Sequence, residues 1–230
     1  MQNKPDAVLF DLDGTLLDTA PDFHWVINTL LATHNREPID YHALRKHVSE
    51  GSMAMIKAAF HRPEDCEMHA ELQQQMLTLY AEHSGTDSQL FPGINTLLDS
   101  LEDANIPWGI VTNKPERFTL PTLATFKLLD RSQSTICPEH VQHTKPHPES
   151  LLLACRQLRA APENSIYIGD HVRDIEAGKR ANMFTIAALY GYIKETEQPE
   201  NWKADYYVEN ADDILSCLNT QFYATRAIRT

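Results

Sequence analysis

Three short apolar runs in this chain each stop abruptly at a polar residue capable of chemistry, and no other feature constrains the fold as much. Ala7-Val8-Leu9-Phe10 stops at Asp11, Trp108-Gly109-Ile110-Val111 at Thr112-Asn113, and Ile166-Tyr167-Ile168 at Gly169-Asp170. Continuous apolar runs, as opposed to alternating ones, suit strands buried on both faces of a parallel sheet. Phe184-Thr185-Ile186-Ala187-Ala188-Leu189 is a fourth run of this kind, and Ser134-Thr135-Ile136-Cys137 a weaker fifth. Helical patterns lie between them. Residues 93–105 carry Ile94, Leu97, Leu98 and Leu101 at three-to-four spacing, which makes one buried face. Pro148 is placed to open a helix through Leu151, Leu152, Ala154, Cys155 and Leu158, and residues 175–180 continue another. Strand alternating with helix predicts an α/β fold with a doubly wound, mainly parallel sheet.

Residues 21–90 break that rhythm. They read as amphipathic helices over 22–33, 41–48, 52–60 and 64–83, punctuated by Pro38 and Gly51, with Gly85-Thr86-Asp87-Ser88 as a turn leading back. The expected organisation is a catalytic core made of residues 1–18 and 91–230. A small all-helical cap, residues 19–90, is inserted over the end of the first strand.

With 230 residues the chain has material for one such core and insertion, and its net charge of −12 argues against nucleic acid or an anionic membrane as a partner. An acidic protein that binds a small anion needs a local positive field from a metal ion, a lysine or a helix N-terminus. The four cysteines (Cys66, Cys137, Cys155, Cys217) show no CxxC pair and no zinc-ligand spacing, so they read as free thiols of a reducing compartment. The N-terminal stretch lacks the apolar length of a signal peptide and no run is long enough to span a bilayer, so a cytoplasmic location is expected. The eleven histidines form no HExxH or HxxEH pattern, and His140, His143 and His147 read as loop residues flanking Lys145.

In an open α/β sheet the ligand crevice lies outside the carboxyl ends of the strands. Three strand ends here deliver Asp11 with Asp13, Thr112 with Asn113, and Asp170 with Asp174, while Lys145 precedes Pro146 in a loop before a helix. Clustered carboxylates repel unless a cation sits among them, and hard oxygens without added His or Cys favour Mg²⁺. Phosphoryl transfer needs that neutralisation together with an in-line nucleophile. Asp11 can supply the nucleophile and Asp13 a proton donor and acceptor, and Gly14 lets the backbone turn away after them. Thr112 and Lys145 would then hold phosphate oxygens, with Asp170 and Asp174 toward the metal. Each residue also has a plainer reading: Asp13-Gly14 as a turn, Asp170 and Asp174 as helix caps, Thr112-Asn113 as a cap, Lys145 as solvated charge. Capping alone does not account for their joint placement.

These residues resemble the four motifs of the haloacid dehalogenase superfamily. Asp11-Leu12-Asp13-Gly14-Thr15-Leu16 is similar to its first motif, Val111-Thr112-Asn113-Lys114 to its second, Lys145-Pro146 to its third, and Gly169-Asp170-His171-Val172-Arg173-Asp174 to its fourth. The helical insertion resembles the family's small cap, as in phosphoglycolate phosphatases. The resemblance implies Asp11 as nucleophile and metal ligand, and Asp13 as acid/base and as metal ligand through its carbonyl. It further implies Thr112, Asn113 and Lys145 as the phosphate-binding set, Asp170 as a Mg²⁺ ligand and Asp174 in support. His171 departs from the small or acidic residue many relatives carry. Leu16-Leu17-Asp18-Thr19-Ala20-Pro21-Asp22-Phe23, residues 108–118, Ile136-Cys137-Pro138 and Tyr190-Gly191-Tyr192-Ile193 look like a narrower subgroup, the bacterial N-acetylmuramate 6-phosphate phosphatases of peptidoglycan recycling.

The expected activity is therefore hydrolysis of a small phosphomonoester, with phosphoglycolate as the alternative substrate. A sugar phosphomutase uses the same two aspartates, and a phospho-accepting signalling module uses a similar set of strand-end acids, Thr and Lys. The insertion and Asp13 argue against the signalling module. Arg45, Lys46, Ser49, Glu50, Ser52 and Lys57 around Gly51 are candidates for cap-side contacts with substrate, with a solvated helix face as their plainer reading, and the rings of Trp25, Tyr190 and Tyr192 are candidates with packing between cap and core as theirs. The sequence carries no sign of oligomeric state.

Overall fold

The computed structural model describes residues 4–60, 66–218 and 220. The strands are β1 (Val8–Phe10), β2 (Leu17–Asp18), β3 (Gln89–Leu90), β4 (Trp108–Val111), β5 (Thr135–Ile136), β6 (Ile166–Gly169), β7 (Phe184–Ala188) and β8 (Tyr206–Val208). The helices are α1 (Ala20–Thr33), α2 (Tyr41–Arg45), α3 (Ser52–Phe60), α4 (Cys66–His83), α5 (Ile94–Asp103), α6 (Glu116–Thr125), α7 (Glu149–Leu158), α8 (Val172–Arg180) and α9 (Asp212–Leu218).

The five expected runs all become strands of one parallel sheet, ordered β5-β4-β1-β6-β7-β8. Val8, Leu9 and Phe10 are fully buried, as a central strand covered on both faces requires. β1 pairs with β4 on one side and β6 on the other, so the chain leaves this strand in opposite directions and opens a crevice at its carboxyl end. β8 has no counterpart in the expected runs. Its three residues form an edge strand in which Tyr206 and Tyr207 are only half-buried, so no continuous apolar run marks it.

The helices of residues 20–83 gather around a separate apolar cluster that includes Val26, Ile27, Leu44, Ile56, Met76 and Tyr80. Burying each such aliphatic side chain contributes roughly 1.5–3 kcal/mol, so the unit has a core of its own. Phe118 and Tyr192 from the sheet-bearing part join that cluster. The chain enters and leaves the helical unit side by side, because β2 pairs antiparallel with β3 through Leu17↔Leu90 and Asp18↔Gln89. Asp22, in the first turn of α1, ties the returning loop down by accepting from the N–H groups of Gly85 (2.6 Å) and Asp87 (2.7 Å) and from the Ser88 hydroxyl.

Two helix boundaries differ from expectation by three residues. α2 stops at Arg45, and residues 46–50 form turns that hang over the end of β1. α8 starts at Val172, three residues before the apolar pattern begins, because His171 caps it. The expected start of the fourth helix at Glu64 lies outside the described residues. No helix among the described residues is long and apolar enough to cross a membrane.

Candidate active site

Asp11 is the first residue beyond β1. Its N–H donates to Ile168 O (2.9 Å) and its Oδ1 accepts from the Leu12 N–H (2.7 Å), which fixes the carboxylate at the mouth of the sheet. Gly14 turns the chain away at φ +83°, and a β-carbon there would stand 2.2 Å from Asp170 Oδ2. Only glycine fits so close beneath a carboxylate while adopting that backbone. Lys145 reaches the same point from the loop before α7. Its ammonium lies 2.9 Å from Asp11 Oδ1 and 2.7 Å from Asp174 Oδ1, and donates to Val111 O (3.0 Å) and the Tyr167 hydroxyl (2.8 Å). Asn113 holds this loop in register, donating to Lys145 O (2.9 Å) and accepting from Lys145 N–H (3.1 Å). Thr112 is buried beside Asp11 and its hydroxyl accepts from the Lys114 N–H (3.1 Å).

Asp170 closes the other side. Its Oδ2 accepts from the Tyr192 N–H and the Ser49 hydroxyl, both at 2.9 Å. Burial, reinforced by the charges of Asp11 and Asp174, pushes its carboxyl up to about 7. Asp11 is raised in the same sense, by burial first, with Lys145 opposing and Asp174 adding. Oxygens of Asp11, Asp170 and Asp174 all lie within 4.8 Å of one another and all three residues are buried. One ammonium does not neutralise three carboxylates, and the donor set is oxygen alone, so the group fits a hard divalent cation such as Mg²⁺. His171 does not join it. Burial, then the nearby Arg173 charge, lowers its imidazole to about 4, and Nδ1 caps α8 by accepting from the Arg173 N–H (3.2 Å).

Asp13 is brought to the same crevice, but its side chain turns away from the three-carboxylate group. Its Oδ1 accepts from Lys114 Nζ (2.8 Å) and the Thr19 hydroxyl (2.7 Å). Lys114 also donates to the Tyr80 hydroxyl (2.6 Å), so a helix of the inserted unit touches the Asp13 network. Burial disfavours the Lys114 charge, yet Asp13 and Tyr80 outweigh it and hold the ammonium above its ordinary value. Lys114 sits inside the second motif, directly after Asn113, and that adjacency was its one sequence signal. Tyr80 and Tyr167 had none.

A cleft of about 400 Å³ opens from Asp11, Asp13 and Thr112 toward the inserted helices. Ser49, Glu50 and Ser52 line it, whereas Arg45, Lys46 and Lys57 are not among its lining residues. Arg45 instead donates to the carbonyls of Gly191 (2.9 Å) and Tyr190 (3.1 Å). The aromatic surfaces of the cleft are Phe23, Tyr80 and Phe118, not Trp25, Tyr190 or Tyr192. The Tyr192 hydroxyl donates to Asp18 Oδ1 (2.8 Å) and accepts from the N–H groups of Thr19 (2.6 Å) and Ala20 (3.0 Å), pinning the entry to α1. Tyr190 packs on Phe91, and Trp25 stacks on His83 at 3.8 Å. His143 and His147 are exposed beside Glu149, whose carboxylate already accepts from the N–H groups of Gln142 and His143. Cys137, Cys155 and Cys217 are buried free thiols.

The model of the haloacid dehalogenase-like hydrolases matches residues 8–188, which span β1 to β7 and every residue just described except Tyr190, Gly191, Tyr192 and Cys217. The chain belongs to that family. Within it the chain is a phosphatase, and relatives similar over nearly its whole length carry phosphatase names. It is 43% identical over 93% of its length to an N-acetylmuramic acid 6-phosphate phosphatase of Pseudomonas aeruginosa, covering 94% of that protein. A protein of the same name from Pseudomonas putida is 42% identical, with 93% of this chain and 96% of that one covered. A phosphoglycolate phosphatase of Xanthomonas campestris is 40% identical, with 91% and 95% covered. A crystal structure of a predicted phosphoglycolate phosphatase from Haemophilus somnus superposes with a TM-score of 0.81 at 23% identity, covering 92% of this chain and 97% of that one. That likeness carries the fold.

Proposed function

We propose that the protein is a Mg²⁺-dependent phosphomonoesterase that works through an aspartyl-phosphate at Asp11. The observation that carries this reading is the position of Asp11, held between the Lys145 ammonium and the buried Asp170 at the floor of the cleft. Asp11, Asp170 and the Asp13 carbonyl, with Asp174 in support, would hold Mg²⁺, which when bound supplies positive charge for the phosphate oxygens. Thr112 and Lys145 hold those oxygens from the other side, and Asn113 contributes by fixing the Lys145 backbone. The Asp11 carboxylate attacks phosphorus while the bond to the leaving oxygen breaks, and Asp13 gives that oxygen a proton. Asp13 then takes a proton from water, whose oxygen attacks phosphorus and releases Asp11 and inorganic phosphate.

Residues 1–18 and 91–230 serve as the catalytic core and 19–90 as a cap that closes over the site, hinged where β2 and β3 pair. The separate apolar cluster of α1–α4 supports that division. Closure would exclude water, and the Ser49 hydroxyl on Asp170 is a contact that would hold the closed arrangement.

The substrate we favour is N-acetylmuramate 6-phosphate, which would place the enzyme in peptidoglycan recycling in the cytoplasm. Two relatives above 40% identity bear that name. The apolar flank of Phe23, Val48, Met55, Leu77, Tyr80 and Phe118 also suits an acylated sugar better than a two-carbon acid. Phosphoglycolate is the second reading, on the 40% relative. Side-by-side kcat/KM on both compounds decides between them: a higher value for the sugar phosphate supports the first reading, and a preference for phosphoglycolate overturns it. Hydrolysis of a hexose 1-phosphate to inorganic phosphate, with no isomeric phosphate formed, separates either from a phosphomutase.

A further inference from the structure

We propose that Arg117, at the rim of the cleft, recognises a carboxylate carried by the leaving group of the substrate and thereby sets specificity; the inference rests on the sugar-phosphate reading above. Three cationic side chains line the cleft, and two are committed. Lys114 is held by Asp13 (2.8 Å) and Tyr80 (2.6 Å), and Arg173 donates to the main-chain oxygen of Ser49. Arg117 is exposed and makes no hydrogen bond or ion pair with any described residue. Its guanidinium lies 4.7 Å from the centroid of the Phe118 ring. Such stacking restrains the planar group and leaves its N–H edge to meet a carboxylate with two parallel hydrogen bonds.

The anions nearby are already paired, so they do not compete for it. Glu50, on the opposite wall, binds Lys194 and His47, and the neighbouring Glu116 lies 3.2 Å from His140 Nε2. The cleft thus has three zones: a phosphate end at Asp11 and Thr112, an apolar flank, and one unpaired fork of donors at the rim. A phosphorylated amino sugar with an ether-linked lactyl carboxylate on the far side of its ring has the same three features. The same sugar without the lactyl group lacks only the last.

The test compares N-acetylmuramate 6-phosphate with N-acetylglucosamine 6-phosphate, which differ by that lactyl ether alone, on the full-length wild type, Arg117→Gln and Arg117→Lys. Loss of a charge-assisted pair at a partly exposed rim lowers kcat/KM by about tenfold. Arg117→Gln is therefore expected to reduce the preference for the lactyl compound by about that factor, through KM and not kcat. Arg117→Lys should restore part of it, since lysine keeps the charge but loses the fork. Equal losses on both compounds, or an unaltered preference, overturn the assignment of Arg117 while the substrate reading stands. Wild-type enzyme that hydrolyses neither sugar but does hydrolyse other phosphomonoesters overturns the substrate reading itself, and this proposal with it.

Discussion

Lys114 Nζ stands 2.8 Å from Oδ1 of Asp13, and only 6% of the lysine side chain is exposed. The pair joins the proposed proton donor to the inserted helices, because the same ammonium holds the Tyr80 hydroxyl of α4. Removing one partner leaves the other charge poorly compensated in a largely dry site. Lys114→Met should lower stability by about 1–3 kcal/mol, less than for a fully buried pair because Asp13 keeps 18% exposure. It should also lower kcat more than it raises KM. Tyr80→Phe, which removes one hydrogen bond, should cost about 0.5–1.5 kcal/mol. Thermal denaturation and steady-state kinetics check both, and a silent Lys114→Met would show that the contact is incidental.

The carboxylates give a metal and pH prediction whose sign follows from their raised values. A carboxyl whose folded value lies above its unfolded one stabilises the fold in its protonated form. Its contribution is complete below the unfolded value and is lost as pH rises through the folded value. For Asp170 that window runs from the ordinary 3.8 to about 7, and Asp11 shifts in the same direction. Protein stripped of divalent metal should therefore have a lower Tm at about pH 8 than at about pH 6. Added Mg²⁺ should raise Tm more at the higher pH, where it meets ionised oxygens without displacing protons. Scanning calorimetry with and without chelator reads this, and a Mg²⁺ effect that grows on acidification would contradict the cluster as described.

Gly191 offers a purely steric probe of the same carboxylate. A β-carbon there would stand 2.2 Å from the Asp170 β-carbon and 2.6 Å from Gly14 O, neither of which can swing aside. Gly191→Ala should cost about 1–3 kcal/mol by overpacking and weaken Mg²⁺ binding by displacing Asp170. Metal titration by calorimetry separates the two effects, and unchanged Mg²⁺ affinity would show that Asp170 is not displaced.

Much of this site could be read from the sequence because the residues that form it end apolar runs. A run such as 7–10 announces both a buried strand and the residue placed at its tip, so Asp11, Thr112 and Asp170 could be located before any contact was known. Contacts between side chains far apart in the chain leave no such local mark. The Tyr192 hydroxyl on Asp18 spans 174 positions, and the Ser49 hydroxyl on Asp170 spans 121. Neither residue differs locally from any tyrosine or serine in a polar loop, so nothing local decided whether Tyr190 and Tyr192 face the cleft or pack between cap and core, as they do. Lys114 shows the same limit: its motif was visible, but not the turn of chain that carries its ammonium to Asp13.

Substituting the nucleophile should silence the enzyme without unfolding it. Asp11→Asn keeps the size of the side chain and the Leu12 N–H contact to its oxygen while replacing a carboxylate with a poor nucleophile. A fall in kcat of roughly three orders of magnitude or more is expected, with an unaltered circular dichroism spectrum.

A phosphoryl group that passes through Asp11 can be trapped there. Asp13→Asn should slow release of the phosphoryl group more than its capture, since it removes the base that activates water. Acid quench of this variant with Mg²⁺ and ³²P-labelled N-acetylmuramate 6-phosphate, followed by peptide mapping, should find label on the peptide containing Asp11. The label should be lost in alkali, as an acyl phosphate requires, and absent from the Asp11→Asn, Asp13→Asn double variant. Label on another residue, or sustained turnover by purified Asp11→Asn, would rule out an aspartyl-phosphate at Asp11.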